Sequence, residues 1–300
     1  MNTLTDITIL VSSCDLYEDA WMPFFKLLKM HWKDCPHPMA LITEEKEYDC
    51  DFMDVKSIKT GKNISWTERI RYALDQVDTE FVLFFLEDFF LHKDVDVIAF
   101  DRALEIIRSQ KDVGMIHFTP VEKNMPIIEE NNLEEAFYDL PIRKRTLRTR
   151  VAVTLFRKEY FLRLLYKDES PWKYERESHI RSMFAGYRIV RQDYSLYPPT
   201  FYYILDQSVG IGITSRKWLE KTKPFLESQG IMDVNYNRLG ILSFEERKVE
   251  KKVEEIGLRE WIYLKFTHPI KRKLRHNWIV QDILNLKKYI KWWTYYKKLK

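Results

Sequence analysis

The chain has 300 residues, a formal net charge of +4, and 45% hydrophobic and 15% aromatic side chains, enough for one large core with an appendix. Its three cysteines, Cys14, Cys35 and Cys50, make no CxxC pair and no even set, which argues against a disulfide framework or zinc knuckle and fits a reducing compartment. The first apolar run, Ile7 to Val11, follows Asp6 with no basic region before it, and no apolar run is long enough to span a bilayer; neither a leader peptide nor a membrane span is expected.

The elements follow in chain order. "DITILVSS" (6–13) is short, β-branched and closed by small polar residues, as a buried opening strand is. The next segment places Trp21, Phe24, Phe25, Leu28 and Trp32 at helical spacing. "PMALITEE" (38–45) is a second strand. In "ISWTERIRYALDQV" (64–77), Ile64, Ile70, Ala73, Leu74 and Val77 share a helical face, with Ser65 or Thr67 near its start. A strand over 81–86 and a helix over about 95–110 come next, then a strand in "DVGMIHFTP" (112–120). Residues 121–145 make a connecting excursion running into the basic "RKRTLRTR" (143–150), and 151–166 read as a strand running into a helix. A turn, a helix, a glycine stop and a strand fill 170–190, and from about 243 the pattern is helical. Strands alternating with helices predict an α/β fold with a largely parallel sheet covered by helices.

Within this pattern, "EFVLFFLEDFF" (80–90) sets Glu87 and Asp88 directly after six apolar residues. Ligands of open α/β sheets bind beyond the carboxyl ends of the strands, where these acids fall. Two adjacent carboxylates repel, so holding both ionised favours a cation such as Mg²⁺ or Mn²⁺. A turn or a helix cap would use the same residues.

Three segments in this order, "DITILVSSCD", "NISWTERIRYALDQVDTEFVLFFLEDFF" and "LFRKEYFLRLL…WKYERESHIRSMFAGYRI", resemble the GT-A fold of nucleotide-sugar glycosyltransferases, of the bacterial family-2-like, surface-polysaccharide type. The resemblance covers roughly residues 5–200. It implies a Rossmann-related mixed sheet flanked by helices; the last hundred residues take no part in it. The expected division is a catalytic domain over 1–240 and, from the helical pattern, a C-terminal helical extension over 241–300. In such enzymes a strand ends in a DxD-type motif that carries the metal; here it reads Glu-Asp-Phe, with Phe89 in the third place. Asp88 is then the metal ligand, with Glu87 beside it or on the ribose. Glu175 stands where the later motif E-D-x-E-L-x-x-x-R-x-x-x-x-G-Y-R has its second acid, followed by Glu177, Arg181 and Gly186-Tyr187-Arg188. Glu175 is the expected catalytic base of an inverting transfer; an acid stabilised at a helix N-terminus is the other reading. Trp66 and Arg69 open the helix that borders the nucleotide in the resembling enzymes, although Trp66 also suits a core and Arg69 solvent. Ser12 ends the first strand as a ribose contact, a base or a turn residue. Arg216, in "VGIGITSRKW" (209–218), belongs to a loop closing on diphosphate or to a solvated turn. The seven histidines show no ligand spacing.

Residues 265–300 hold 11 Lys/Arg and 1 Asp, leaving 38 basic and 44 acidic side chains in the rest of the chain. In 276–300, Ile279, Ile283, Leu286, Ile290 and Trp293 form one helical stripe beside lysines and a Trp/Tyr end, the pattern of an interfacial helix on anionic lipid. A packed helix uses the same stripe. The acidic body argues against nucleic acid as the partner. The expected protein is a metal-assisted glycosyltransferase at the cytoplasmic face of a membrane, with a nucleoside-diphosphate sugar donor and a glycan or lipid-linked acceptor. The alternatives are a non-catalytic scaffold and a nucleotidyltransferase; the latter needs a glycine-rich cradle after the first strand, which "VSSCDLYEDAW" lacks.

Overall fold

The computed structural model describes residues 6–118, 132–140, 148–203, 212–243, 288–295 and 297. They fall into two compact units, one of residues 1–212 with 231–234, the other of 213–230 with 235–300. The boundary expected at 240 lies inside the second unit.

In the first unit β1 (Ile7–Ser12) leads through a 3-10 turn (Asp15–Ala20) into α1 (Trp21–His31), followed by β2 (Met39–Thr43) and β3 (Val55–Lys59). Then come α2 (Trp66–Asp75), β4 (Phe81–Leu86), α3 (Val97–Ser109), β5 (Val113–His117) and β6 (Phe137–Asp139). β7 (Thr154–Arg157), α4 (Lys158–Leu164), α5 (Pro171–Phe184) and β8 (Arg188–Gln192) complete it. The eight strands form one sheet in the order β3-β2-β1-β4-β7-β5-β8-β6.

The sheet is mixed and flanked by helices, as expected. β1 runs parallel to β2 and β4, and β5 parallel to β8, while β7 is antiparallel to both of its neighbours and β6 is antiparallel to β8. Strands buried on both faces read as unbroken apolar runs, and β1, β2, β5 and β7 are buried at every position. Under α2, α4 and α5 the core contains Leu10, Ile42, Ile70, Leu74, Phe84, Phe156, Phe161 and Tyr174. A second aromatic cluster links α1 and α3, with Phe24–Phe85, Phe85–Phe201 and Phe100–Phe201 ring centroids each 5.7 Å apart.

Two strands of this unit were not anticipated, and a third starts later than expected. β3 buries only Ile58, so its apolar signal is one residue deep. β6 is three residues long and lies inside the excursion. β7 begins at Thr154, not Val151, because the Val151 N–H is claimed by a side chain of α5 and not by a neighbouring strand. The glycine stop after α5 is Gly186, whose φ of +75° is left-handed.

The second unit has a three-stranded sheet of β9 (Ile213–Thr214), β10 (Lys217–Leu219) and β11 (Ile241–Leu242), with α6 (Thr222–Ser228). Trp218 is buried, its ring centroid 5.3 Å from that of Tyr236. The expected C-terminal helix is seen over 288–295; the rest of its stripe, Ile279, Ile283 and Leu286, lies outside the described residues. Among the described residues no helix is long and apolar enough to cross a membrane.

Candidate functional site

Because β1, β2 and β4 are parallel neighbours, their carboxyl ends gather on one edge. β1 delivers Ser12, Ser13, Cys14 and Asp15; β2 delivers Thr43 and Glu44; β4 delivers Glu87 and Asp88. Three of the β1 residues are fixed by hydrogen bonds to neighbouring elements. The Trp66 indole N–H donates to Ser12 Oγ at 3.0 Å and the Trp21 indole N–H to Ser13 Oγ at 2.7 Å. Asp15 accepts backbone N–H groups of Glu44 (2.8 Å), Glu45 (3.0 Å) and Lys46 (3.3 Å), clasping the loop that leaves β2. α2 is started by a capping box in which Ser65 and Glu68 each hold the other's backbone N–H. That cap sets Trp66 at the first helical position and Arg69 one turn on, where Arg69 pairs with Glu44.

Glu87 and Asp88 lie in a tight turn closed by the Phe89 N–H on the Leu86 carbonyl, 3.2 Å. The turn is not solvated: Glu87 is 7% and Asp88 5% exposed. Burial first, and the adjacent Asp88 charge second, push the Glu87 carboxyl well above the usual carboxylate range. The same burial lifts the Cys14 thiol to about 11, with Glu87 the next contributor. The Gly212 N–H donates to the Asp88 carbonyl at 3.1 Å, and a Cβ on Gly212 would stand 2.3 Å from the Phe90 ring, so only glycine fits this approach. Gly212 is the second glycine of "VGIGITSRKW". Residues 209–211 lie outside the described residues. Arg216 belongs to the second unit, exposed in the β9–β10 turn at a φ of +63°.

Glu175 sits in the second turn of α5, which has no acid in its first turn, so stabilisation at a helix N-terminus is not its role. Its carboxylate accepts the Val151 N–H at 2.6 Å, and burial pushes its pKa up. The Thr149 hydroxyl bonds Ser178 Oγ at 2.6 Å, so residues 149–151 are strapped onto α5. Val151 lies three residues before Thr154 and Glu87 three after Phe84, and Phe84 and Thr154 are partners across the β4–β7 pair. The segment held by Glu175 therefore enters the sheet at the edge where Glu87 leaves it. α5 is tied to α2 as well: Arg181 makes a bidentate pair with buried Glu169 (2.9 and 2.6 Å), the Glu169 backbone N–H donates to Thr67 Oγ1, and Tyr174 packs on Trp66 at 5.3 Å.

The structure thus brings Ser12, Trp66, Arg69, Glu87 and Asp88 to one edge, with Glu175 behind the segment entering it. Trp66 is half-buried and Arg69 is paired; neither is a plain core or solvent residue. Sequence reading missed Asp15 and Glu44, whose only signal was an acid just beyond each strand.

A divalent cation can be tested against these groups. Among the described residues no three or more His, Cys, Asp or Glu side chains are gathered to cage a metal. Mg²⁺ is commonly held by one or two carboxylates, with phosphate oxygens and water supplying the rest. Asp88 with Glu87 fits that partial set, and fits no all-protein site.

No family model matches the chain, and no curated protein matches it. Among solved structures it is similar to Staphylococcus aureus TarS 1–349 in complex with UDP-GlcNAc, at 15% identity over 67% of this chain and 58% of that one, with a TM-score of 0.45. It is also similar to a cytidylyltransferase from Leptospira borgpetersenii, at 10% identity over 84% and 96% of the two chains (TM-score 0.44). A third is the bifunctional IspDF of Campylobacter jejuni, at 16% identity over 66% and 52% (TM-score 0.39). The chain spans about three-fifths of the TarS 1–349 structures it matches.

Proposed function

We propose that the chain is a glycosyltransferase that takes a sugar from a nucleoside-diphosphate donor bound at the carboxyl edge of β1, β2 and β4. One observation carries this reading: a buried Glu87–Asp88 turn at a parallel-strand edge, beside the segment that Glu175 holds. Burying two adjacent acids costs stability unless a ligand uses them.

In this reading Asp88, with Glu87 at its side, holds Mg²⁺ or Mn²⁺ jointly with the donor phosphates. The bound cation would neutralise charge developing on the leaving diphosphate. Ser12 has one lone pair engaged by Trp66 and keeps its O–H to donate to a ribose or phosphate oxygen. Glu175, whose raised pKa strengthens it as a base, accepts the proton of the attacking acceptor hydroxyl, which leads to inversion at the sugar. Nucleotidyl transfer is disfavoured by the loop after β1. It contains no glycine, and Asp15 already takes the N–H groups of 44–46. We further propose that residues 276–300 hold the protein on an anionic cytoplasmic membrane face, where a lipid-linked acceptor resides. Lys288, Ile290, Lys291 and Lys297 are exposed, which supports it.

The test is a thermal-shift panel of nucleoside diphosphates and triphosphates with and without Mn²⁺, followed by a transfer assay. One diphosphate should stabilise the protein only with metal, by about 2.7 kcal/mol at a hundredfold excess over its Kd. Asp88→Asn should lose that response. Glu175→Gln should keep it and lose transfer by at least about 100-fold. A response to a triphosphate with release of pyrophosphate, or full transfer by both variants, would refute the assignment.

A further inference from the structure

Two and three strand spacings along the sheet from β4, the ends of β5 and β8 carry a second polar cluster. His117 of β5 is the register partner of both Thr154 of β7 and Arg191 of β8, and Arg191 is in turn the partner of Tyr138 of β6. Partners across neighbouring strands point to the same face. His117 is fully buried, with Nδ1 at 3.0 Å from Thr154 Oγ1 and Nε2 at 2.8 Å from the Arg148 carbonyl. Burial first, then the arginines around it, with Arg191 foremost, push its imidazole down to about 3, so it is neutral and adds no charge.

The arginines are the anomaly. Arg148 is 1% exposed, but its Nε is engaged by Ser182 Oγ (3.2 Å) and one Nη by the Leu140 carbonyl (2.7 Å). Arg191 is equally buried and is not so served: its Nε and Nη2 are without partners among the described residues. The buried Nε of Arg150 and the hydroxyl of buried Tyr194 are likewise unpartnered. Among the described residues the titratable groups acting most on Arg191 are Tyr138, which also hydrogen-bonds it, Arg150 and Tyr194, and none of these is a carboxylate; Arg150 acts in addition on Glu175. All the unused groups of Arg191 and Arg150 are N–H donors, and a phenol can donate as well. Buried guanidinium charge persists in proteins when an anion meets it, and the planar guanidinium edge matches a phosphate oxygen pair.

We propose that Arg191, with Arg150 and Tyr194, forms an oxyanion site for a phosphate group, centred on β8 and reached from the Glu87–Asp88 edge through Arg150, which lies in the segment that Glu175 holds. The three spacings between β4 and β8 put Arg191 about 14 Å along the sheet from β4. The phosphate can be a free ion or a phosphoryl group carried on a larger molecule. If carried, and on the glycosyl-transfer reading that this last step presupposes, the carrier is the acceptor, which would then be an anionic, phosphate-bearing compound.

The experiment is thermal unfolding of the full chain in low-salt, phosphate-free buffer with added inorganic phosphate, methyl phosphate, or the nucleoside diphosphate with Mn²⁺. Saturating phosphate should raise the wild-type Tm by about 5 °C, and Arg191→Met should abolish that rise. Without phosphate, Arg191→Met should melt at or above the wild type, since an unmatched buried charge has been removed. A response to both phosphates marks a site open to a carried phosphoryl group; a response to inorganic phosphate alone marks a closed ion site. Should Arg191→Met not fold, Arg191→Lys and Tyr194→Phe keep the test alive, each expected to weaken the phosphate response at least about tenfold. Equal phosphate responses in wild type and variants, or no response in the wild type, would overturn the proposal. Asp88→Asn separates the two sites: it should lose the diphosphate response and keep that to phosphate, so either reading can fall without the other.

Discussion

Glu87 gives the sharpest test of how the acidic turn is built. Its carboxyl is raised well above 4.5 by burial and by the Asp88 charge, so the folded protein keeps a proton that the unfolded chain releases. The sign follows directly. Below about pH 4.5 both states are protonated and the contribution is fully present; above it, stability falls until the folded-state pKa is passed. From about pH 4.5 up to the folded-state pKa the loss approaches about 1.4 kcal/mol for each pH unit. Glu87→Gln imitates the protonated form and cannot titrate. Urea unfolding of wild type and Glu87→Gln through this range should therefore show the wild type losing ground by that slope, with groups common to both cancelling. Adding Asp88→Asn removes the second cause and should end the slope at lower pH. A wild-type-minus-Gln difference that stays flat would show that Glu87 is ionised in the fold, and the picture of a turn waiting for a cation would fail with it.

Two further predictions concern the frame and the tail. Arg181→Met leaves Glu169 buried with its charge unmatched and should cost about 3–5 kcal/mol in denaturant unfolding, whereas Glu169→Leu with Arg181→Met should recover most of the loss; additive losses would refute the pairing. Deleting residues 276–300 should abolish co-sedimentation with vesicles containing phosphatidylserine, and high salt should release the intact chain; binding unaffected by either would remove the membrane proposal.

Much of the first unit was legible because its signals are long and apolar. Phe81–Leu86 is continuous and its bounds were read correctly; α2 announces itself through Ser65 and a clean helical face. The position of Glu87 and Asp88 followed from the strand, since a strand end in an open sheet fixes where its next residues go. Their burial did not follow, because the Gly212 approach comes from more than a hundred residues away. The antiparallel course of β7 was equally hidden: its four residues look the same in either direction, and only the long return from β5 decides. The burial of Arg148 and Arg191 was not legible at all, since composition cannot say which arginines a sheet will cover.

The charge arrangement at the edge also constrains what can bind there. Successive backbone N–H groups such as those of Glu44, Glu45 and Lys46 make a ready concavity for an anion. Here the protein fills it with its own Asp15 carboxylate. Arg69, which α2 brings to this edge, is paired with Glu44. A diphosphate reaching this edge therefore meets Asp15, Glu44 and Asp88 with their nearby counter-charge already committed. Close approach of so much negative charge is unfavourable by several kcal/mol at a protein surface of effective dielectric about 20. Either the diphosphate brings a cation, for which Asp88 and a deprotonating Glu87 offer the protein's half of the ligands, or it stays away. Nucleotide affinity at this edge should accordingly track divalent-ion concentration, more steeply than Arg69 or Ser12 could make it do.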